Sequence, residues 1–177
     1  MARTEQKVLL LQGTGYFDER RPLSTNISAL YGNVDPLGIR IVSEFFKNAG
    51  VERILMQMVP GKIDRLEKHI AAVNGVFVSS RFFDIDMAKQ VIQIADRHKV
   101  PVVAGGYGPT FNSSAFENAI RVSGEAEWIL PQLVDDFLGG HLQVEYDGTK
   151  LPPYDITSKY IRPDRNLPTS NPLFTTI

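Results

Sequence analysis

The chain contains no cysteine, and this absence removes several kinds of chemistry at once. Disulfide bonds, thiolate zinc sites, cysteine-bound iron–sulfur clusters and a cysteine nucleophile are all excluded within these residues. A chain without thiols is compatible with a reducing cytoplasm, which is where we expect the protein. Any metal or covalent chemistry of this chain must use other side chains.

The sequence also lacks an excess of charge and a long apolar run. Its 19 basic and 20 acidic residues give a net charge of −1, which argues against a broad nucleic-acid surface. The apolar runs are only a few residues long, far short of a membrane span, and the first residues show no signal-peptide pattern. We therefore expect neither a nucleic-acid nor a membrane partner.

Common catalytic and metal-binding signatures are missing as well. The three histidines, His69, His98 and His141, do not have the spacing of metal ligands, and no Gly-x-Ser-x-Gly nucleophile motif is present. We predict no catalytic residue and no metal ligand in this chain.

Short β-like runs alternate with helical patterns over residues 1–140, a length typical of one domain. The predicted strands are Val8–Leu11, Arg53–Val59, Gly75–Ser79, Val100–Ala104 and Ile120–Val122. The predicted helices cover 37–49, 62–73, 84–98, 112–119 and 125–138. This alternation predicts an α/β fold with a five-stranded parallel sheet and helices on both faces, and we expect the flavodoxin-like order 2-1-3-4-5.

The composition changes after residue 140, where five of the prolines fall. Residues 142–151 contain Asp147-Gly148 between β-like runs and predict a small hairpin, and 152–172 predict an extended linker. We therefore divide the chain into a domain over 1–140 and a hairpin with linker over 141–177. The chain stops in an apolar run that ends at Ile177, and we expect the parent protein to continue beyond it.

The candidate binding residues follow the predicted strands at their carboxyl ends, where ligands bind in open parallel sheets. We expect three loops, 12–36, 79–84 and 105–111, to line the crevice between the first and third strands, and the first of them, from Gln12 to Asp35, is unusually long. Gly105-Gly106 allows a ligand to lie close to the backbone, because no Cβ intervenes. Each feature also has an ordinary structural explanation, such as a tight turn, a helix cap or acids that favour a helix N-terminus.

Taken together and in this order, these stretches resemble the N-terminal cobalamin-binding domain of cobalamin-dependent radical S-adenosylmethionine enzymes. The matching stretches are Pro36–Ile39, Gly75–Ser80, Val102–Thr110 and Gly124–Pro131. Where related cobalamin folds carry Asp-x-His-x-x-Gly, this chain has Asn33-Val34-Asp35-Pro36-Leu37-Gly38, so Asp35 stands at the position of the cobalt-ligating histidine. The resemblance implies cobalamin binding without a histidine ligand.

The resemblance also implies the roles of individual residues. Asp35 would lie beneath the corrin ring, Gly105, Gly106 and Thr110 would surround the nucleotide tail, and Ser79 and Ser80 would make polar contacts. We expect a side chain at either glycine to project into the space that the tail needs. The full set of predicted cofactor-binding residues is Asp35, Gly38, Ser79, Ser80, Gly105, Gly106, Tyr107, Thr110, Gly124 and Glu125.

Three functions remain open at this point. The first is a cobalamin-binding module, not itself an enzyme, whose partner is a radical S-adenosylmethionine barrel of the same polypeptide; the barrel would carry the iron–sulfur cluster on a CxxxCxxC motif. The second is a degenerate domain that keeps the fold, has lost the cofactor and docks the barrel or another protein. The third is a flavodoxin-like binder of a nucleotide or flavin, for which Gly13-Thr14-Gly15 is only a faint phosphate loop.

Overall fold

The computed structural model describes residues 6–13, 37–152, 161–164, 166 and 169–170. The strands are β1 (Lys7–Gly13), β2 (Glu52–Met58), β3 (Gly75–Ser79), β4 (Val102–Gly105), β5 (Ile120–Gly124), β6 (Glu145–Gly148) and β7 (Thr169–Ser170). The α-helices are α1 (Leu37–Asn48), α2 (Glu67–Ile70), α3 (Ile85–Arg97), α4 (Tyr107–Phe111) and α5 (Ala126–Gly139). Short 3₁₀ turns at Ile63–Leu66, Phe82–Asp84 and Ser113–Phe116 complete these elements.

The strands form one sheet in the order β6-β5-β4-β3-β1-β2-β7, and every pairing is parallel. This confirms the predicted α/β fold with a parallel sheet, and the order 2-1-3-4-5 lies within it. The predicted number of five strands is wrong, because β6 extends the sheet beyond β5 and the two-residue β7 pairs with β2.

The predicted hairpin over 142–151 is also wrong. Glu145–Gly148 pairs with Arg121–Gly124 in parallel, as the strand of a further crossover after α5. Tyr146 is buried in the core beneath that helix, which anchors the strand at the sheet edge. The Asp147 carboxylate accepts a hydrogen bond from the Thr149 amide at 2.9 Å, so the turn signal is real, but it ends a parallel strand.

Two apolar layers enclose the sheet, as expected for parallel strands covered on both faces. Val8 and Leu10 point to the layer formed with α1 and α5, whereas Leu9 and Leu11 point to the layer formed with α2 and α3. In the first layer Phe46, Phe77 and Phe137 meet edge to face at centroid distances of 4.6–5.6 Å. This aromatic core holds α1 and α5 over the middle of the sheet and sets the space between them.

Part of the predicted linker lies against α1. The Ser43 hydroxyl donates to the buried Asp164 carboxylate at 2.9 Å, and Arg40 donates to the Asp164 carbonyl oxygen at 2.7 Å. Arg53 of β2 approaches the same carboxylate at 3.6 Å. Residues 161–164 are therefore attached to the body of the sheet domain through a buried carboxylate.

The end of α5 contains a carboxylate that predicts how stability depends on pH. The Tyr146 hydroxyl donates to Asp136 at 2.8 Å, and this bond, with further ones from neighbouring side chains, holds the pKa of Asp136 below its ordinary value. A lowered pKa stabilises the folded state above the unfolded pKa, about 3.9, and this contribution is lost as the pH falls through the folded value. We therefore expect the stability of Asp136→Asn to fall less than that of the wild type as the pH is lowered from neutral to acidic, measured as the urea midpoint at each pH.

The matched control is Asp135→Asn, because Asp135 is exposed on the same helix and makes none of these bonds. A fall in the stability of Asp136→Asn equal to that of the wild type would contradict this account.

Candidate functional site

A cleft of about 470 Å³ opens between α1 and α5 at the carboxyl ends of β3, β4 and β5. Phe77, Val103 and Val122 form its floor on the sheet, and apolar residues of α1 and α5 form its walls. The volume lies within the range of about 300–1,000 Å³ that is usual for small-molecule sites. The cleft is therefore large enough for an organic ligand with a flat apolar group.

Gly105 keeps the floor of the cleft open. Side chains alternate along β4, so Val103 and Gly105 face the cleft while Val102 and Ala104 face the opposite core. A Cβ atom at Gly105 would lie 3.6 Å from the Cβ atom of Val122, which is an ordinary contact. A methyl group would thus fit, whereas a larger side chain would extend into the cleft.

The structure brings most of the predicted site residues together. The cleft is lined by eight of the ten, namely Gly38, Ser79, Gly105, Gly106, Tyr107, Thr110, Gly124 and Glu125. Asp35 lies outside the described residues. Ser80 is completely buried and is not part of the lining.

Ser80 instead joins the loops that follow β3 and β4. Its amide donates to the Gly105 carbonyl oxygen and its own carbonyl oxygen accepts from the Gly108 amide, both at 2.9 Å. Its hydroxyl donates to the Arg81 carbonyl oxygen at 3.2 Å. Ser80 is a positioning residue beside the cleft, and its polar groups are directed to the backbone.

Gly106 also acts through the backbone. Its φ angle is 92°, in a region that favours glycine, and a Cβ atom there would lie 2.8 Å from the Ser80 carbonyl oxygen. The expectation that a side chain at Gly106 would enter the cleft is therefore wrong, because the clash is with the neighbouring loop. Only Gly105 of this pair directs its missing side chain into the cleft.

The polar groups of the lining are few and mainly acidic. Glu125 and Glu127 are the charged residues among those that line the described cleft, and no lysine or arginine is among them. Glu125 occupies the N-cap position of α5 without a side-chain cap bond. Gly38, in the first turn of α1, brings a helix N-terminus to the same cleft, where backbone N–H groups and the helix dipole favour one negative charge.

Three exposed aromatic rings stand at the mouth of the cleft. Phe82, Tyr107 and Phe111, hereafter the aromatic platform, are 56%, 64% and 67% exposed. Their centroids are 5.6–6.4 Å apart, and the ring planes differ by 15–36°. Sequence reasoning identified Tyr107 alone as a site residue, although Phe82 and Phe111 also follow strand ends.

The end of β1 lies against an ion pair in the loop that follows β3. The Nε atom of Arg81 lies 2.9 Å from the buried Asp84 carboxylate, and Arg81 Nη2 donates to the Gly13 carbonyl oxygen at 3.0 Å. A Cβ atom at Gly13 would overlap the Asp84 side chain. The Asp84 carboxylate therefore fills the space beside Gly13, the first residue of the faint phosphate-loop motif.

Two classes of feature are absent from the residues that the structure describes. They contain no group of three or more histidine, aspartate or glutamate side chains arranged to hold a metal ion. None of the helices in the described ranges has the length and apolar character that crossing a bilayer requires.

A scan of the chain against protein-family models finds no match, and a search of curated proteins finds none either.

Proposed function

We propose that this chain is the cobalamin-binding module of a radical S-adenosylmethionine enzyme, a methyltransferase or a related enzyme, and that it holds cobalamin without a histidine ligand. The observation that carries the proposal is the cleft between α1 and α5, whose floor is kept open by Gly105 at the carboxyl end of the sheet. The barrel, with its iron–sulfur cluster and S-adenosylmethionine, would belong to the parent polypeptide in the cytoplasm.

The chemistry of the cleft fits the nucleotide tail of cobalamin. The tail ends in a flat, largely apolar benzimidazole, which matches a floor of Phe77, Val103 and Val122. Its single phosphodiester carries one negative charge, which suits the N-terminus of α1 at Gly38. Because the corrin ring itself holds cobalt through four nitrogen atoms, the protein needs no cluster of metal ligands.

This chain's own residues would bind and orient the cofactor. Gly105 admits the benzimidazole, Ser79 and Thr110 face the tail, and Glu125 accepts hydrogen bonds from the amide side chains of the macrocycle. When bound, cobalamin supplies a cobalt centre that carries methyl groups or electrons, and the protein supplies position and exclusion of water. No residue of this chain is assigned a catalytic role.

The same lining disfavours the flavin or nucleotide alternative. Phosphate-rich ligands require cationic side chains or a glycine-rich phosphate loop, whereas this cleft carries two carboxylates and no lysine or arginine among its described residues. Flavin mononucleotide carries about two negative charges on its phosphate, so Glu125 and Glu127 would repel it more strongly than they repel the singly charged phosphodiester of cobalamin.

Titration of the full chain with hydroxocobalamin tests the proposal. The single tryptophan, Trp128, lies on α5 next to the cleft-lining Glu127, and cobalamin absorbs light where tryptophan emits. We expect saturable quenching with hydroxocobalamin and none with flavin mononucleotide at the same concentration. Quenching by the flavin alone would favour the flavodoxin-like alternative, and no binding of cobalamin would favour the docking domain.

A further inference from the structure

The three rings of the aromatic platform do not belong to the apolar core of the protein. Phe82, Tyr107 and Phe111 contact one another but remain more than half exposed. By contrast, the three phenylalanines that meet in the α1–α5 layer, Phe46, Phe77 and Phe137, are buried. Three adjacent exposed rings keep a considerable apolar area in water, which is unusual unless that area binds something. Their common location is the mouth of the cleft.

The aromatic platform is continuous with the cleft. Tyr107 and Phe111 belong both to the platform and to the cleft lining, and α4 carries both residues directly after β4. Phe82 joins them from the loop after β3, which Ser80 ties to α4 through the Gly108 amide. A ligand that fills the cleft and extends beyond it over α4 would therefore contact these rings.

We infer that the aromatic platform bears one flat face of the cobalamin macrocycle while the nucleotide tail occupies the cleft, an inference that depends on the proposed function. A short tether joins the tail to the edge of the macrocycle, so a tail held at Gly105 leaves the macrocycle at the mouth. The central part of a corrin face is broad and apolar, and aromatic side chains are suited to contact with such planar systems.

Two ligands distinguish the contribution of the platform to binding from that of the cleft. Hydroxocobalamin has both macrocycle and tail, whereas cob(II)inamide has the macrocycle, with one face free of a bound ligand, and lacks the tail base. We expect the triple variant Phe82→Ala/Tyr107→Ala/Phe111→Ala to lose at least about tenfold in affinity for each ligand, because it removes all three aromatic contacts with the macrocycle. Because the three rings are exposed, the melting temperature should change little.

Phe83→Ala is the matched control. Phe83 is 53% exposed and adjacent to the platform in sequence, but its ring lies under the Arg81 guanidinium, 4.9 Å from the ring centroid, and outside the cleft lining. We expect this variant to bind both ligands as the wild type does. If the melting temperature of the triple variant is lowered, the three single variants provide the same comparison with less perturbation.

The outcomes distinguish the inference from the proposed function. Wild-type binding of both ligands with loss of both in the triple variant supports the inference. Wild-type binding that the triple variant retains overturns it and leaves the proposed function standing, as does an equal loss in Phe83→Ala. Failure of the wild type to bind either ligand overturns both.

Discussion

Gly105→Leu is expected to lower the affinity for hydroxocobalamin by at least about 30-fold, equivalent to about 2 kcal/mol of overpacking. The physical reason is that a side chain at position 105 points into the cleft, whose floor at that place consists of Val103 and Val122. A leucine side chain would occupy the volume that the benzimidazole needs. The measurement is equilibrium titration followed by Trp128 quenching and by the absorption spectrum of the cofactor.

Gly105→Ala is the graded control for this prediction. Its added Cβ atom makes an ordinary 3.6 Å contact with Val122, so we expect at most a few-fold change in affinity. Cob(II)inamide, which lacks the tail base, should bind Gly105→Leu nearly as well as wild type. Tight, unchanged binding of cobalamin to Gly105→Leu would show that the tail does not enter this cleft.

Gly106→Val is expected to act on folding, with a loss of about 3 kcal/mol or more in the free energy of unfolding. The φ angle of 92° is unfavourable for a β-branched residue, and the new Cβ atom would lie 2.8 Å from the Ser80 carbonyl oxygen. That oxygen accepts the hydrogen bond from the Gly108 amide, so the clash would separate the two loops. Urea denaturation without ligand measures the effect.

The matched variant for this prediction is Gly140→Val. Gly140 also has a positive φ angle, 72°, but a Cβ atom there meets nothing within 4 Å. We expect it to lose about 1–2 kcal/mol, the cost of the backbone conformation alone. Equal losses at the two positions would mean that the contact with Ser80 contributes nothing.

The parallel sheet could be predicted because its signals are local. Val8–Leu11 is a continuous apolar run, and its complete burial between two helical layers is typical of such a run. Loops at the carboxyl ends of parallel strands meet at one edge, which is why residues as distant as Gly38, Ser79 and Gly124 line one cleft. Their ligand stays a prediction.

The sixth strand could not be predicted in the same way. Asp147-Gly148 is a genuine turn signal, but local turn chemistry does not determine whether the residues before the turn pair antiparallel with those after it or parallel with β5. The burial of Tyr146 under α5 and its bond to Asp136 decide the matter, and both depend on contacts distant from the turn.

The difference between Gly105 and Gly106 was likewise hidden in the sequence. Adjacent glycines look equivalent in a pattern, yet strand alternation turns one toward the cleft and a positive φ angle turns the other toward Ser80. The aromatic platform was detectable in part, since Phe82 and Phe111 come after two neighbouring strands. Their exposure and mutual contact arise only when Ser80 joins the two loops.

The central claim is that cobalamin binds with its tail in the cleft and away from cobalt. Electron paramagnetic resonance of the full chain loaded with cob(II)alamin tests it most directly, because an axial nitrogen ligand splits the cobalt lines. We predict cobalt hyperfine lines without nitrogen splitting for the wild type, and loss of the bound signal in Gly105→Leu. Nitrogen splitting in the bound state, or a wild-type spectrum identical to that of free cob(II)alamin, would contradict the account.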